Sequence, residues 1–209
     1  MRILVVEDHA LVREGLLTTL RALGPDTTTI GAEDGTQAIQ VLENSDIDLM
    51  LLDLMLPGTR GLTLLPLVRR RFPTVPVVVV SALDDTTTVA RAMGAGASGF
   101  ISKAASSKEL LRALRKVLAG GVVVPAGARE AVARSSPRCG DDPLARRYSL
   151  TPAQTRVLQH LAEGVSNREI AELLGVTEGT VKIHVSAVMR ALNVSNRAEA
   201  ALIAAGRKR

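Results

Sequence analysis

Short apolar runs alternate with stretches of helical periodicity through the first 120 residues of the chain. The runs fall at residues 3–6, 27–30, 47–52, 75–80 and 99–102; the second is the weakest and the fourth is β-branched almost throughout. Between them, apolar positions recur at near-helical spacing. Leu11, Leu16, Leu17, Leu20 and Leu23 mark the first helix, and Ala38, Ile39 and Leu42 the second, within 36–43. Further helices are predicted over 62–71, 86–93 and 106–118. Gly24-Pro25 stops the first helix, and Pro57-Gly58 marks a turn. Strands buried on both faces lose the polar–apolar alternation of half-exposed ones. Five β–α units of this kind therefore predict a parallel sheet covered by helices on both sides.

Residues 121–148 change character. Val122, Val123 and Val124 are expected to pack back on the first domain, and 126–134 to form a short helix. Residues 135–143 have the Ser, Pro and Gly content of a flexible tether. Helical patterning returns at Thr151-Pro152-Ala153-Gln154, which combines a Thr N-cap, Pro at the first helical position and Gln three residues on. That helix runs to about Glu163 and stops at Gly164. Ser166 and Glu169 form a second capping box, opening a helix through Leu174. Gly175-Val176 turns the chain, Thr177 caps a third helix over 178–192, and a fourth follows Ser195. Two short helices joined by a tight glycine turn outline a helix-turn-helix. The expected organisation is an α/β domain at 1–120, a linker at 121–148 and an all-α four-helix domain at 149–209.

Composition narrows the function. With 46% hydrophobic and 22% charged residues, the 209-residue chain can bury two small cores. No apolar run reaches the roughly 18 residues needed to cross a bilayer, so no membrane partner is expected. The N-terminus reaches Glu7 and Asp8 too soon for a secretory signal. Cys139 is the single cysteine, which excludes an internal disulfide and fits a reducing cytoplasm. Residues 1–120 hold 13 acidic and 13 basic residues, whereas 121–209 hold 8 acidic and 13 basic, so the net +5 lies wholly in the C-terminal part. A polyanionic partner is expected there. Phe72, Phe100 and Tyr148 are the only aromatics, too few for the stacking platforms of single-strand or RNA binders, which leaves duplex DNA.

In parallel sheets, ligands gather outside the carboxyl ends of the strands. Glu7 and Asp8 end the first predicted strand, Asp53 the third and Ser81 the fourth, and Lys103 follows the fifth. Three converging carboxylates repel one another, and a hard cation such as Mg2+ relieves that cost using carboxylate, water and phosphate oxygens. Asp53 then suits a phosphoryl-accepting nucleophile, with the Lys103 ammonium and Ser81 hydroxyl holding the remaining phosphoryl oxygens. A phosphatase of the haloacid-dehalogenase type also uses an aspartate nucleophile, but needs a second acid two residues on. Here that position is Met55, so a lasting phospho-aspartate is expected rather than turnover.

The segments VVEDHALVREGL, LLDLMLPGTRGLTLL, VVVVSA and GAGASGFISK resemble the receiver domain of two-component response regulators of the NarL/FixJ group. The resemblance implies a flavodoxin-like, doubly wound sheet of order 2-1-3-4-5, with Asp53 as phospho-acceptor and Ser81 and Phe100 as switch residues. It further implies that Asp8, Asp53 and the Met55 carbonyl bind Mg2+ directly, and that Glu7 assists through water. Glu7 stands where aspartate is commoner, and Ala104 follows Lys103 where many receivers carry proline.

The segment from Leu150 to Val194 resembles the LuxR-type DNA-binding domain of the same group. In its third helix, Val181, Val185, Val188 and Leu192 recur at buried spacing, leaving Lys182, Ile183, Ser186 and Arg190 outward to meet base edges or phosphates in a major groove. Thr180 and His184 complete the expected DNA-contact set, His184 for packing or phosphate rather than base reading. The implied protein is a cytoplasmic transcriptional regulator, phosphorylated by a sensor histidine kinase and binding double-stranded DNA as a homodimer. The alternative is a phosphorylation-independent regulator whose receiver serves as an interaction module.

Overall fold

The computed structural model describes residues 1–58, 61–72, 74–119, 121–135, 143–148 and 150–206. The chain divides into two compact units, 1–136 and 137–209. Most of the expected tether, Cys139 and the terminal Arg207-Lys208-Arg209 lie outside the described residues.

In the first unit the strands are β1 (Arg2–Val6), β2 (Thr28–Ala32), β3 (Leu49–Leu52), β4 (Val77–Ser81) and β5 (Gly99–Ser102). They alternate with α1 (Ala10–Leu20), α2 (Gly35–Asn44), α3 (Gly61–Arg71), α4 (Thr86–Gly94) and α5 (Ser107–Leu118). The sheet is parallel throughout, in the order β2-β1-β3-β4-β5. Successive residues of a strand face opposite sides. Ile3, Val5, Leu49, Leu51, Val78, Val80 and Ile101 therefore pack with Leu20 of α1 and Leu110, Leu114 and Val117 of α5. Their neighbours Leu4, Met50, Val79 and Phe100 are equally buried and face the other side. There α2 packs on β1 and α4 on β5, with α3 between these helices.

Boundaries shift where local hydrogen bonding competes with pattern. The third strand starts at Leu49, two residues later than expected; just before it Asp48 accepts from the Arg2 backbone N–H at 2.7 Å through its carboxylate. The second helix starts earlier than periodicity indicates, since Asp34 caps it by accepting from the Gln37 N–H at 2.8 Å. Beyond α5, the Phe100 N–H donates to the Val123 carbonyl at 2.9 Å, so the chain after residue 120 is bonded to the β5 edge. A 3-10 turn at Ala126–Ala128 leads into α6 (Arg129–Ser135), which packs on α4. Residues 121–135, expected within the linker, thus belong to the first unit.

The second unit holds α7 (Pro143–Arg147), α8 (Pro152–Ala162), α9 (Asn167–Leu174), α10 (Glu178–Ala191) and α11 (Arg197–Ala204). Both expected capping boxes form, Thr151 with Gln154 and Ser166 with Glu169. The hydrogen bonds at Ser166 hold the Glu169 carboxyl below its ordinary pKa. Gly175 supplies the left-handed residue (φ 63°) that ends α9, and Thr177 caps α10 through the Thr180 N–H at 3.1 Å. Helix α7, five residues long, was not expected, since one helical turn carries no readable period.

Gly61 opens α3 where its backbone touches the loop after β3. A Cβ there would lie 2.2 Å from the Asp53 carbonyl oxygen and 2.7 Å from the Leu54 Cα, and neither backbone atom can step aside. Gly61→Ala should destabilise the first unit by about 1–3 kcal/mol, as overpacking does. Urea denaturation followed by circular dichroism measures this. Gly127→Ala, with nothing within 4 Å of its added Cβ, is the neutral comparison.

Candidate functional site

Parallel register sets the site. Val6 and Leu52 pair as the last residues of β1 and β3, and the Asp53 N–H donates to the Val6 carbonyl at 3.0 Å. Glu7 and Asp53 consequently leave neighbouring strand ends side by side, 1% and 2% exposed. On the far side of β4, Ser81 pairs with Ser102, and the Lys103 N–H donates to the Ser81 carbonyl at 2.9 Å. The lysine side chain then reaches back across β4. Its Nζ lies 2.8 Å from Asp53 Oδ2 and 2.6 Å from Glu7 Oε2. Burial alone lowers the pKa of this ammonium, but the hydrogen bonds and charges of Asp53 and Glu7 outweigh burial and raise it above its ordinary value.

The other Asp53 oxygen, Oδ1, is buried and has no hydrogen-bond partner. A buried charged oxygen is ordinarily paired, so this is a site that wants a cation or an electrophile. Asp8, beside Glu7, is partly exposed at the same edge of the sheet. Hard carboxylate oxygens around an unsatisfied oxygen are the donor chemistry of Mg2+, and these residues fit it. Ser81 is fully buried, and its Oγ accepts from the Leu83 N–H at 3.2 Å. Phe100 is 1% exposed, while Met55 is 57% exposed on the loop after Asp53.

Two residues at this site were not singled out in the sequence. His9 places Nδ1 3.0 Å from Asp8 Oδ1 and 3.2 Å from Glu7 Oε1. Arg13 of α1 donates to the carbonyls of Glu7 at 2.7 Å and Asp8 at 3.2 Å, and pairs with Glu33 at 2.9 Å, fixing the acidic turn from behind. The only sequence signal for Arg13 is its position near the start of an otherwise apolar helix face.

In the second unit, α10 buries Val181, Val185, Val188 and its C-cap Leu192 against the other helices. Lys182, Ser186 and Arg190 are exposed and Ile183 is half-buried. Lys182 Nζ lies 2.9 Å from Glu178 Oε1, one turn earlier. The expectation of a DNA contact at Thr180 needs correction, while His184 takes the packing role that was one of its two expected ones. Thr180 is 1% exposed with its hydroxyl 3.1 Å from that of Thr177, and His184 is 6% exposed. Spaced four apart, they sit one above the other on the inward face, so neither side chain is presented to a groove.

Residues 3–115 match the family described as the response regulator receiver domain, and residues 148–204 match the bacterial regulatory proteins of the luxR family. The chain is 37% identical to the glycerol metabolism activator of Pseudomonas putida, over 97% of this chain and 94% of that one. It is 35% identical to the nitrate/nitrite response regulator protein NarL of Escherichia coli K12, over 96% of this chain and 93% of that one. Among solved structures, the response regulator ChrA of a haem-sensing two-component system covers 99% of this chain, with 96% of its own length aligned, a TM-score of 0.51 and 31% identity. The chain therefore belongs to the two-component response regulators of the NarL/FixJ family, DNA-binding transcriptional regulators built from a receiver domain and a LuxR-type helix-turn-helix domain.

Proposed function

We propose that Asp53 is the phosphoryl acceptor through which this response regulator is switched, and that a sensor histidine kinase is the donor. The observation that carries the assignment is the divided environment of one carboxylate. Lys103 holds Oδ2 at 2.8 Å, while Oδ1 is buried and uncommitted. A carboxylate serving only as a cap has its oxygens engaged. Here one oxygen is oriented by an ammonium and the other is kept for chemistry.

In the transfer, Oδ1 attacks phosphorus in line with the donor histidine nitrogen, and the P–N bond breaks as the P–O bond forms. Asp8, Asp53 and the Met55 carbonyl, with Glu7 through water, would hold a Mg2+ ion, which would supply neutralisation of the charge on the phosphoryl oxygens. Lys103, held charged by its two carboxylate partners, takes one of those oxygens. The Ser81 hydroxyl takes another. To do so its Oγ releases the Leu83 N–H, so the loop after β4 responds to phosphorylation, and buried Phe100 on β5 adjusts with it. Met55 offers no acid to activate water, so the phospho-aspartate persists as a signal and the protein is not a turnover enzyme.

In this reading α10 enters the major groove with Lys182, Ile183, Ser186 and Arg190 toward DNA, which the exposure of Lys182, Ser186 and Arg190 supports. Paired half-sites about one helical turn apart match a homodimer formed on phosphorylation or on DNA. Among the described residues no helix is long and apolar enough to cross a membrane, and the reading places the protein in the cytoplasm.

With acetyl phosphate and Mg2+ as a donor system, Asp53→Asn should take up no label while the unsubstituted chain is labelled to saturation. Label retained by the variant would remove Asp53 from its role. On operator DNA, Lys182→Ala should weaken binding and flatten the plot of log K against log salt by about 0.9, the loss of one phosphate contact. An unchanged slope would remove Lys182 from the interface.

A further inference from the structure

The exposed side chains of α10 recur every fourth residue, at Glu178, Lys182, Ser186 and Arg190. That spacing keeps successive side chains on one face of a helix. Lys182, Ser186 and Arg190 form the row that the proposed function turns toward DNA. Glu178 is the first member of that row and the only acid of the helix. In a helix-turn-helix, the N-terminal residues of the second helix are the ones that meet base edges. A carboxylate therefore stands where a polyanion is expected, in the part of the chain that carries all the excess positive charge. An acid in the first turn complements the helix dipole, but the cap itself comes from Thr177, which accepts from the Thr180 N–H. The Glu178 carboxylate turns along the row instead, to Lys182 at 2.9 Å, and its side chain is 48% exposed. Its neighbour Gly179 is exposed and carries no side chain, which leaves the approach open on that side.

The chemistry of the base edges decides what such a carboxylate can meet. In the major groove guanine presents only acceptors, thymine an acceptor and a methyl group, and adenine an amino donor beside the N7 acceptor. Cytosine offers an amino donor with no acceptor on the same base. We infer that Glu178 is a specificity-determining residue, which reads a cytosine by accepting from its N4 amino group and penalises acceptor edges at the same place. This inference rests on the reading that α10 enters the major groove. The bond to Lys182 fits it. An exposed pair spaced four residues apart is weak, so the ammonium can leave for a phosphate or a guanine and free the oxygen it held for the amino group.

The test is selection from a randomised duplex library, read by sequencing, with the full chain and its Glu178→Gln, Glu178→Asp and Lys182→Ala variants. The unsubstituted chain should select a cytosine at one position of each half-site. Glu178→Gln should move that position toward adenine, whose N6 and N7 a glutamine amide pairs with, and leave the other positions as they were. On duplexes differing only at that base pair, the preference for cytosine should fall by about tenfold, the size of one base contact. Glu178→Asp keeps a charge at the helix end but shortens its reach, so it should lose the cytosine preference at an unchanged melting temperature. Should both Glu178 variants select the same motif as the unsubstituted chain while Lys182→Ala alters it, the acid serves the helix alone and this inference falls by itself. A responding position that is not cytosine in the unsubstituted motif would overturn it equally. A motif indifferent to Lys182→Ala and to both Glu178 variants, or no motif at all, would overturn the reading of α10 in the groove and this inference together.

Discussion

The Lys103 ammonium holds the carboxyl end of the sheet together. Glu7 and Asp53 are side by side and almost wholly buried, an arrangement that would be strongly unfavourable if both were charged without a partner. Lys103 lies within 2.8 Å of an oxygen of each. Counting Asp8, three carboxylates and one ammonium leave the pocket at −2 when all are ionised, a charge that one divalent cation cancels. The ammonium thus makes burial of the acids tolerable without neutralising the site. Removing it would leave two buried anions facing each other. Adding a second fixed cation would take away the reason to bind a metal.

That geometry depends on where strands end rather than on what they contain, which explains how much of it could be read from the residues. Strands buried on both faces are written as plain apolar runs, so β1, β3, β4 and β5 are legible, and with them the polar residues at their ends. Parallel order follows from the β–α alternation. What is not legible is side-chain direction at the site. His9 reads as an ordinary loop residue between two acids and a helix, and only the structure shows its ring turned toward Asp8 and Glu7. Gly61 looks like any residue after a Pro-Gly turn. Its requirement comes from the approach of the Asp53 carbonyl to within a Cβ's reach.

Helix phase explains the misplacement in the second unit. The inward face of α10 is marked by Val181, Val185 and Val188, but a helix turns 100° per residue and its buried arc is wide. Thr180, expected among the DNA contacts, falls inside that arc, and so does His184, for which packing was one of the two expected roles. Once they are inside, the exposed strip narrows to Lys182, Ser186 and Arg190, with Ile183 at its margin. Lys182 already has a partner in Glu178, but an exposed pair spaced four residues apart contributes only about 0.3–0.5 kcal/mol. A phosphate can replace so weak a partner, so the pair does not shut the lysine off from DNA.

The chain leaving the first unit is tied to the strand that matters most for the site. β5 is an edge of the sheet, and an open edge is a template for unwanted pairing. Here that edge is covered by the protein's own continuation, through the bridge from Gly99 to Val123 and the bond from the Phe100 N–H to the Val123 carbonyl. The same short strand carries Phe100 and delivers Lys103. A displacement of β5 large enough to move either side chain must also strain or break the bonds to Val123. Edge protection and mechanical attachment are therefore one feature. Residues 121–135 stay with the folded unit through the backbone bonds that Val123 makes to β5 and its approach, and through the packing of α6 on α4.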